Sequence, residues 1–195
     1  MISKKFIKNS VIYTVAGMLP MASAVILLPF YLNYLPLAQY GELAFYLAFS
    51  MFVQVVVTYS FDSSLYIYYH DYKKDKQKLA VLISSAYVFM AILGAIVLGV
   101  LTLGGTFLFE AVAGEKGLAF FPYGFLSVLT AILQAFFKVH SSLLQTGEKP
   151  ETFFWANLIS FSLIALFTVV GLMLYPEELI GPIGGRALLR FRPLI

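Results

Sequence analysis

Residues 79–109 read LAVLISSAYVFMAILGAIVLGVLTLGGTFLF, thirty-one consecutive positions without a charged side chain. A helix needs about 20 apolar residues to cross a hydrocarbon layer ~30 Å thick. This stretch satisfies that with residues to spare. Four more charge-free intervals flank it: 33 residues at 9–41, 19 at 43–61, 21 at 117–137 and 25 at 152–176. Each is long enough for one crossing. Strands left open in lipid would strand their backbone donors and acceptors, so the crossings are expected to be helical. The fold class expected is all-α, a polytopic transmembrane bundle of about five helices with its N-terminus cytoplasmic. The spans are placed near 11–35, 42–64, 79–104, 118–142 and 153–175, with Leu35-Pro36-Leu37 as the first exit from lipid.

Composition supports this class. Of 195 residues, 61% are hydrophobic and 12% charged; soluble domains carry about 45–50% apolar and about 25% charged residues. Too little polar side chain remains to wet a globule, which excludes an ordinary soluble enzyme, a disordered chain and a nucleic-acid binder. Cysteine is absent, so disulfides, cysteine-ligated zinc and a cysteine nucleophile fall away together. The start imitates a signal peptide, with Lys4, Lys5 and Lys8 before an apolar run and Ala22-Ser23-Ala24. The run resumes at Val25 and continues to Leu35, so it reads as a retained first span.

Sidedness follows from the lysines. With the N-terminus inside, Lys4, Lys5, Lys8, Lys73, Lys74, Lys76, Lys78, Lys138 and Lys149 share one side, and Lys116 stands alone opposite. Nine against one is a strong positive-inside bias. Tyr66, Tyr68, Tyr69 and Tyr72 belong at the inner headgroups, as an aromatic belt does. The net charge of +3 therefore reflects membrane orientation.

Polar residues inside the spans form stripes. Ser50, Gln54, Thr58 and Asp62 recur every four residues; Ser127, Thr130, Gln134, Lys138, Ser141 and Gln145 recur every three or four, which keeps each set on one helical face. Asn157, Ser160, Thr168 and Gly171 form a looser set, and Ala91, Ala95 and Gly99 are spaced for close helix approach. A stripe can line a polar substrate path or serve as interhelical glue, worth about 0.6 kcal/mol per contact. The pathway candidates are Gln54, Thr58, Asp62, Thr130, Gln134, Lys138 and Ser141. Asp62 and Lys138 both lie near the inner mouth, where they either snorkel separately to the headgroups or pair to close that end. Pro20 and Pro29 interrupt the first span and are the hinge candidates, since proline removes a backbone donor and bends a helix. No catalytic residues and no cofactor are expected. His70 and His140 fit no metal-ligand spacing, the glycine runs match no phosphate loop, and the charges at residues 71–75 offer at most an attraction for anionic lipid.

Beyond Pro176, the sequence Glu177-Glu178-Leu179-Ile180-Gly181-Pro182 resembles an outer loop entering a further crossing. Residues 179–195 contain three arginines and fall short of a span. The tail either lies on the outer surface or begins a sixth span of a longer protein; the second reading is favoured.

Three stretches resemble the polysaccharide-transporter branch of the multidrug/oligosaccharidyl-lipid/polysaccharide exporter superfamily. They are Leu27-Leu28-Pro29-Phe30 through Leu35 with Tyr40-Gly41-Glu42-Leu43-Ala44; Ser60-Phe61-Asp62-Ser63-Ser64-Leu65; and Gln134-Ala135-Phe136-Phe137-Lys138 with Gly147-Glu148-Lys149-Pro150. The resemblance implies a flippase for lipid-linked oligosaccharide in the bacterial inner membrane. It also implies two helical halves around a cavity, working by alternating access. Two departures stand out: Tyr66-Ile67-Tyr68 occupies a place where the family often has arginine, and about five spans are present instead of twelve to fourteen. The partners expected are thus a lipid-linked oligosaccharide, membrane lipids, and a second transporter half or another membrane subunit, with no nucleic acid. Alternatives are an exporter of drugs or a lipid precursor from the same superfamily, and a membrane scaffold for a glycosyltransferase complex.

The topology is testable because the chain lacks cysteine. Single cysteines introduced at positions 73–78 are expected to react with a membrane-impermeant maleimide only after the cytoplasmic face is exposed. Labelling from the periplasmic side of intact cells would overturn the topology.

Overall fold

The computed structural model describes residues 4–113, 118–174, 179 and 182–183, with the side chains of residues 5, 20, 21, 24 and 113 outside that description. The protein is all-α: α1 (Lys4–Tyr34), α2 (Leu37–Thr58), α3 (Phe61–Tyr72), α4 (Lys76–Ala113), a π-helical turn (Phe120–Gly124), α5 (Phe125–Thr146) and α6 (Pro150–Leu174). Among the described residues, four stretches are long and apolar enough to cross a membrane: Leu37–Tyr72, Lys76–Val112, Phe120–Thr146 and Pro150–Leu174. Within α1, Phe6–Leu19 and Val25–Tyr34 are shorter apolar segments. Helix α1 continues through Pro20 and Pro29.

The second charge-poor stretch differs from the single span expected at 42–64. It breaks at Tyr59 and Ser60, whose φ angles of 47° and 59° lie in the left-handed region. Non-glycine residues visit that region sparingly, because Cβ crowds the carbonyl oxygen there. Local hydrogen bonds hold the break: the Tyr59 N–H donates to the Val55 carbonyl at 3.2 Å, and the Ser60 carbonyl accepts from Ser63 and Ser64 at 3.1 and 3.0 Å. The chain is thereby re-aimed, and Phe61–Tyr72 becomes a separate helix. Helix α4, the third span expected, also exceeds its range of 79–104. Its 38 residues rise ~57 Å at 1.5 Å each, well over the ~30 Å hydrocarbon layer.

Two long pairings organise the bundle. Helix α1 lies along α6, and α2 along α5, with α3 continuing onto α5 and α4 packed against α2, α3 and α5. The α2–α5 register is legible in its contacts: Tyr46 meets Tyr123 (ring centroids 5.8 Å apart), Gln54 meets Gln134, and Asp62 meets Ser142. Partner numbers rise together along both helices, so the two run parallel. The α1–α6 pair is parallel too, since Lys8 reaches Glu151 at 3.8 Å and Tyr13 packs edge-on to Phe153 at 5.2 Å. Parallel pairing of α2 with α5 fits a chain whose crossings alternate in direction, because one span-length helix, α4, lies between them in sequence. The same contacts gather Lys8, Asp62, Lys138 and Glu151 at one end, the end assigned to the cytoplasm by the lysine count.

The opposite end is an aromatic knot. Phe109 of α4 stacks on Tyr46 and meets Phe45, Phe49 and Phe120 edge-on, with centroids 5.1–5.9 Å apart. The Tyr46 hydroxyl donates to the Ala119 carbonyl at 2.7 Å, which ties α2 to the chain just before the Phe120–Gly124 turn. Close approach depends on two glycines: a Cβ on Gly105 would stand 2.5 Å from a Phe120 ring carbon, and one on Gly124 2.8 Å. The small residues expected to do this, Ala91, Ala95 and Gly99, are exposed, and a Cβ added to Gly99 would meet nothing within 4 Å. Their spacing places them on one face but says nothing about which face packs. Of the tail, Leu179 and Ile183 are buried in the main core; Arg186, Arg190 and Arg192 lie outside the described residues, as does Lys116.

Gly105→Ala is expected to destabilise the detergent-solubilised protein by about 1–3 kcal/mol, the usual cost of overpacking. Gly99→Ala should leave its thermal midpoint unchanged. Equal midpoints for the two variants would contradict the knot.

Candidate functional site

The α2 stripe begins one step earlier than its sequence suggested, at Tyr46, and proceeds through Ser50, Gln54 and Thr58 to Asp62 on α3. Facing it along α5 are Ser127, Thr130, Gln134 and Lys138. Between them lies a tight apolar seam in which Val53, Val57, Val128, Ala131, Ala135 and Val139 are buried. These residues belong to one buried core cluster, and α2 packs along α5, so the polar positions on either side share the same interface. Ser50, Thr58, Ser127 and Thr130 are 2–5% exposed.

In lipid, a buried hydroxyl usually satisfies itself on the carbonyl one turn back. Thr58 does so on Gln54 at 2.7 Å, and Ser127 on Tyr123 at 2.8 Å. Ser50 and Thr130 do not: both oxygens are buried without a hydrogen-bond partner, a condition costing about 1–3 kcal/mol each. The Gln54 amide donates to the Gln134 carbonyl across the seam at a long 3.4 Å. This part of the seam is thus closed by apolar packing, with its hydrogen-bonding capacity only partly used.

Toward the inner end the character changes. Lys138 Nζ lies 3.0 Å from Asp62 Oδ2, so the structure brings together the two charges whose pairing the sequence left open. The break at Tyr59-Ser60 makes this possible, because α3 restarts there with Asp62 in its first turn, beside α5. An acidic group at that position also complements the helix dipole. Ser142 Oγ donates to the Asp62 carbonyl at 3.0 Å and fixes α3 against α5. Beside the pair opens a cleft of about 290 Å³ lined by Asp62, Ser63, Tyr66, Ile67 and Ser142. Lys138 keeps 48% of its side chain exposed and Asp62 22%, so the pair is accessible from the inner side.

Ser141 turns away from this group. It accepts a hydrogen bond from Asn157 Nδ2 of α6 at 3.2 Å, while Asn157 also donates to the Phe153 carbonyl at 2.8 Å. Ser141 therefore joins α5 to α6, and its neighbour Ser142, absent from the expected stripe, contacts Asp62. Steps of three or four residues wander around a helix, so adjacent serines were hard to rank by spacing. Pro20 and Pro29 lie in α1, the helix that packs along α6. His70 and His140 are exposed, and no group of three or more metal-ligating side chains occurs among the described residues.

A double-mutant cycle on Asp62→Asn and Lys138→Gln is expected to give a coupling free energy of about 0.2–1 kcal/mol toward thermal unfolding, as for partly exposed pairs. Strict additivity would mean that the two charges act separately.

Protein 1 of the Lsg locus of Haemophilus influenzae is 28% identical to the chain over 180 residues, which is 90% of this chain and 40% of that protein. The chain thus spans less than half the length of that curated relative. No solved structure matches it. Residues 6–192 match the family described as "Polysaccharide biosynthesis protein". That match covers nearly the whole sequence, and the chain belongs to the polysaccharide biosynthesis protein family.

Proposed function

We propose that this chain forms part of a flippase that moves lipid-linked oligosaccharide across the bacterial inner membrane, with no enzymatic chemistry of its own. The observation that carries the reading is the Asp62–Lys138 pair, 3.0 Å apart at the lysine-rich end of a polar seam. A charge pair is costly near lipid and is generally retained for function. Lysine suits a diphosphate as a point charge, without bidentate geometry. Asp62 holds it in place until substrate phosphate competes for it. In this reading the pair closes the inner end of the path, and arrival of the anionic headgroup opens it.

The rest of the path is the α2–α5 seam of Gln54, Thr58, Thr130 and Gln134; Ser141, bonded to Asn157, lies on the α6 side of α5. Ser50 and Thr130, whose hydroxyls are buried without a partner, as that of Thr168 is on α6, supply further polar groups along this seam. Separation of α2 from α5 would wet the seam and satisfy both groups. Pro20 and Pro29 are the hinge residues of α1, and alternating access requires a second bundle to move against this one. That bundle is a second transporter half or another membrane subunit. A drug or lipid-precursor exporter has less support, because the family ties the chain to polysaccharide biosynthesis.

The test is deletion of the gene and charge exchange in the native host, read as surface polysaccharide. Asp62→Lys and Lys138→Asp are each expected to lower surface polysaccharide by about tenfold, and lipid-linked oligosaccharide should accumulate on the inner leaflet. Combining the two exchanges should restore export substantially. Normal export after deletion of the gene would refute the proposal, and failure of the double exchange would remove the pair from it.

A further inference from the structure

The cleft beside the ion pair has its own chemistry. Its wall carries an aromatic ring, Tyr66, which is 55% exposed, an aliphatic neighbour, Ile67, and three groups able to bond hydroxyls: Asp62, Ser63 and Ser142. The ion pair engages Asp62 through Oδ2, which leaves Oδ1 to accept. Ser142 donates its proton to the Asp62 carbonyl, so its oxygen remains an acceptor. An acidic oxygen within the cleft disfavours phosphate there, whereas Lys138 at its edge favours it. At about 290 Å³ the space is a shallow, largely open depression just under the size of ligand pockets, with room for a single ring against its wall.

We infer that this cleft is a sugar subsite taking one pyranose ring whose anomeric phosphate rests on Lys138. The apolar face of the ring lies on Tyr66, its hydroxyls donate to Asp62 Oδ1 and Ser142 Oγ and accept from Ser63, and the phosphate meets the Lys138 ammonium. The site therefore reads the junction between sugar and phosphate, and neither component alone meets all its groups. This inference rests on the flippase reading for its biological ligand but is a statement about binding, so it can fail or hold separately from transport.

The test is a saturation-transfer NMR titration of the full chain in phosphatidylcholine nanodiscs, read on the ring protons of glucose 1-phosphate and glucose, with inorganic phosphate, which has no carbon-bound proton, titrated as a competitor. Glucose 1-phosphate is expected to bind about tenfold or more tightly than either of the others, the order of one charge-assisted hydrogen bond. Tyr66→Ala should remove the advantage of the sugar phosphate over inorganic phosphate, and Tyr66→Phe should keep it. Lys138→Gln should remove its advantage over glucose. Repeating the titration with a polyprenyl-phosphate glucose in the nanodisc separates a lipid-linked source from a soluble one: competition between the two probes places both in this cleft. Equal affinities for glucose 1-phosphate and inorganic phosphate, or indifference to Tyr66→Ala, would overturn the subsite even if the chain supports export.

Discussion

Hydrocarbon offers a backbone amide nothing to bond, and the fold answers that constraint first. Helices satisfy the amides internally, and what remains is to choose which faces meet. Since lipid is as apolar as leucine, hydrophobicity does not select those faces; close packing and a few polar contacts do. Here that selection falls on the α2–α5 seam. Valines of α2 and alanines of α5 are buried in one core there, and the parallel register runs from the Tyr46–Tyr123 contact at the aromatic knot to Asp62 and Ser142 at the inner end.

The two ends of this seam differ in kind. At the outer end, Gly105 and Gly124 admit the Phe120 ring, and Phe109 locks α4 to α2. That end is dense and aromatic. The inner end has a backbone break, an accessible ion pair and an open cleft. A bundle clamped at one end and held by a polar contact at the other is suited to opening where it is polar. The partnerless Ser50 and Thr130 lie between these ends, on the stretch that would be wetted.

Much of this was legible in the residues. Charge-free intervals located the helices because lipid excludes charge along a whole span, and the lysines marked which ends belong together. The stripes on α2 and α5 declared themselves through steps of three and four. Other features were hidden. Tyr59 and Ser60 adopt positive φ without the glycine that normally signals it, so one span read as unbroken where there are two helices. Ala91, Ala95 and Gly99 suggested a packing face, yet α4 packs through Gly94 and Gly105. Helical spacing reports which residues share a face, and only the neighbours decide which face is used. Pairing of Asp62 with Lys138 was open for the same reason: the sequence placed both at one depth without fixing the rotation of either helix.

The site exists only if α2 and α5 run parallel in the register described, and cysteine cross-linking in native membranes probes that register at a single pair of positions. With D62C paired to S142C, rapid oxidative cross-linking is expected, and none when D62C is paired to F125C at the far end of α5. Efficient cross-linking of D62C to F125C, with none to S142C, would contradict the parallel seam.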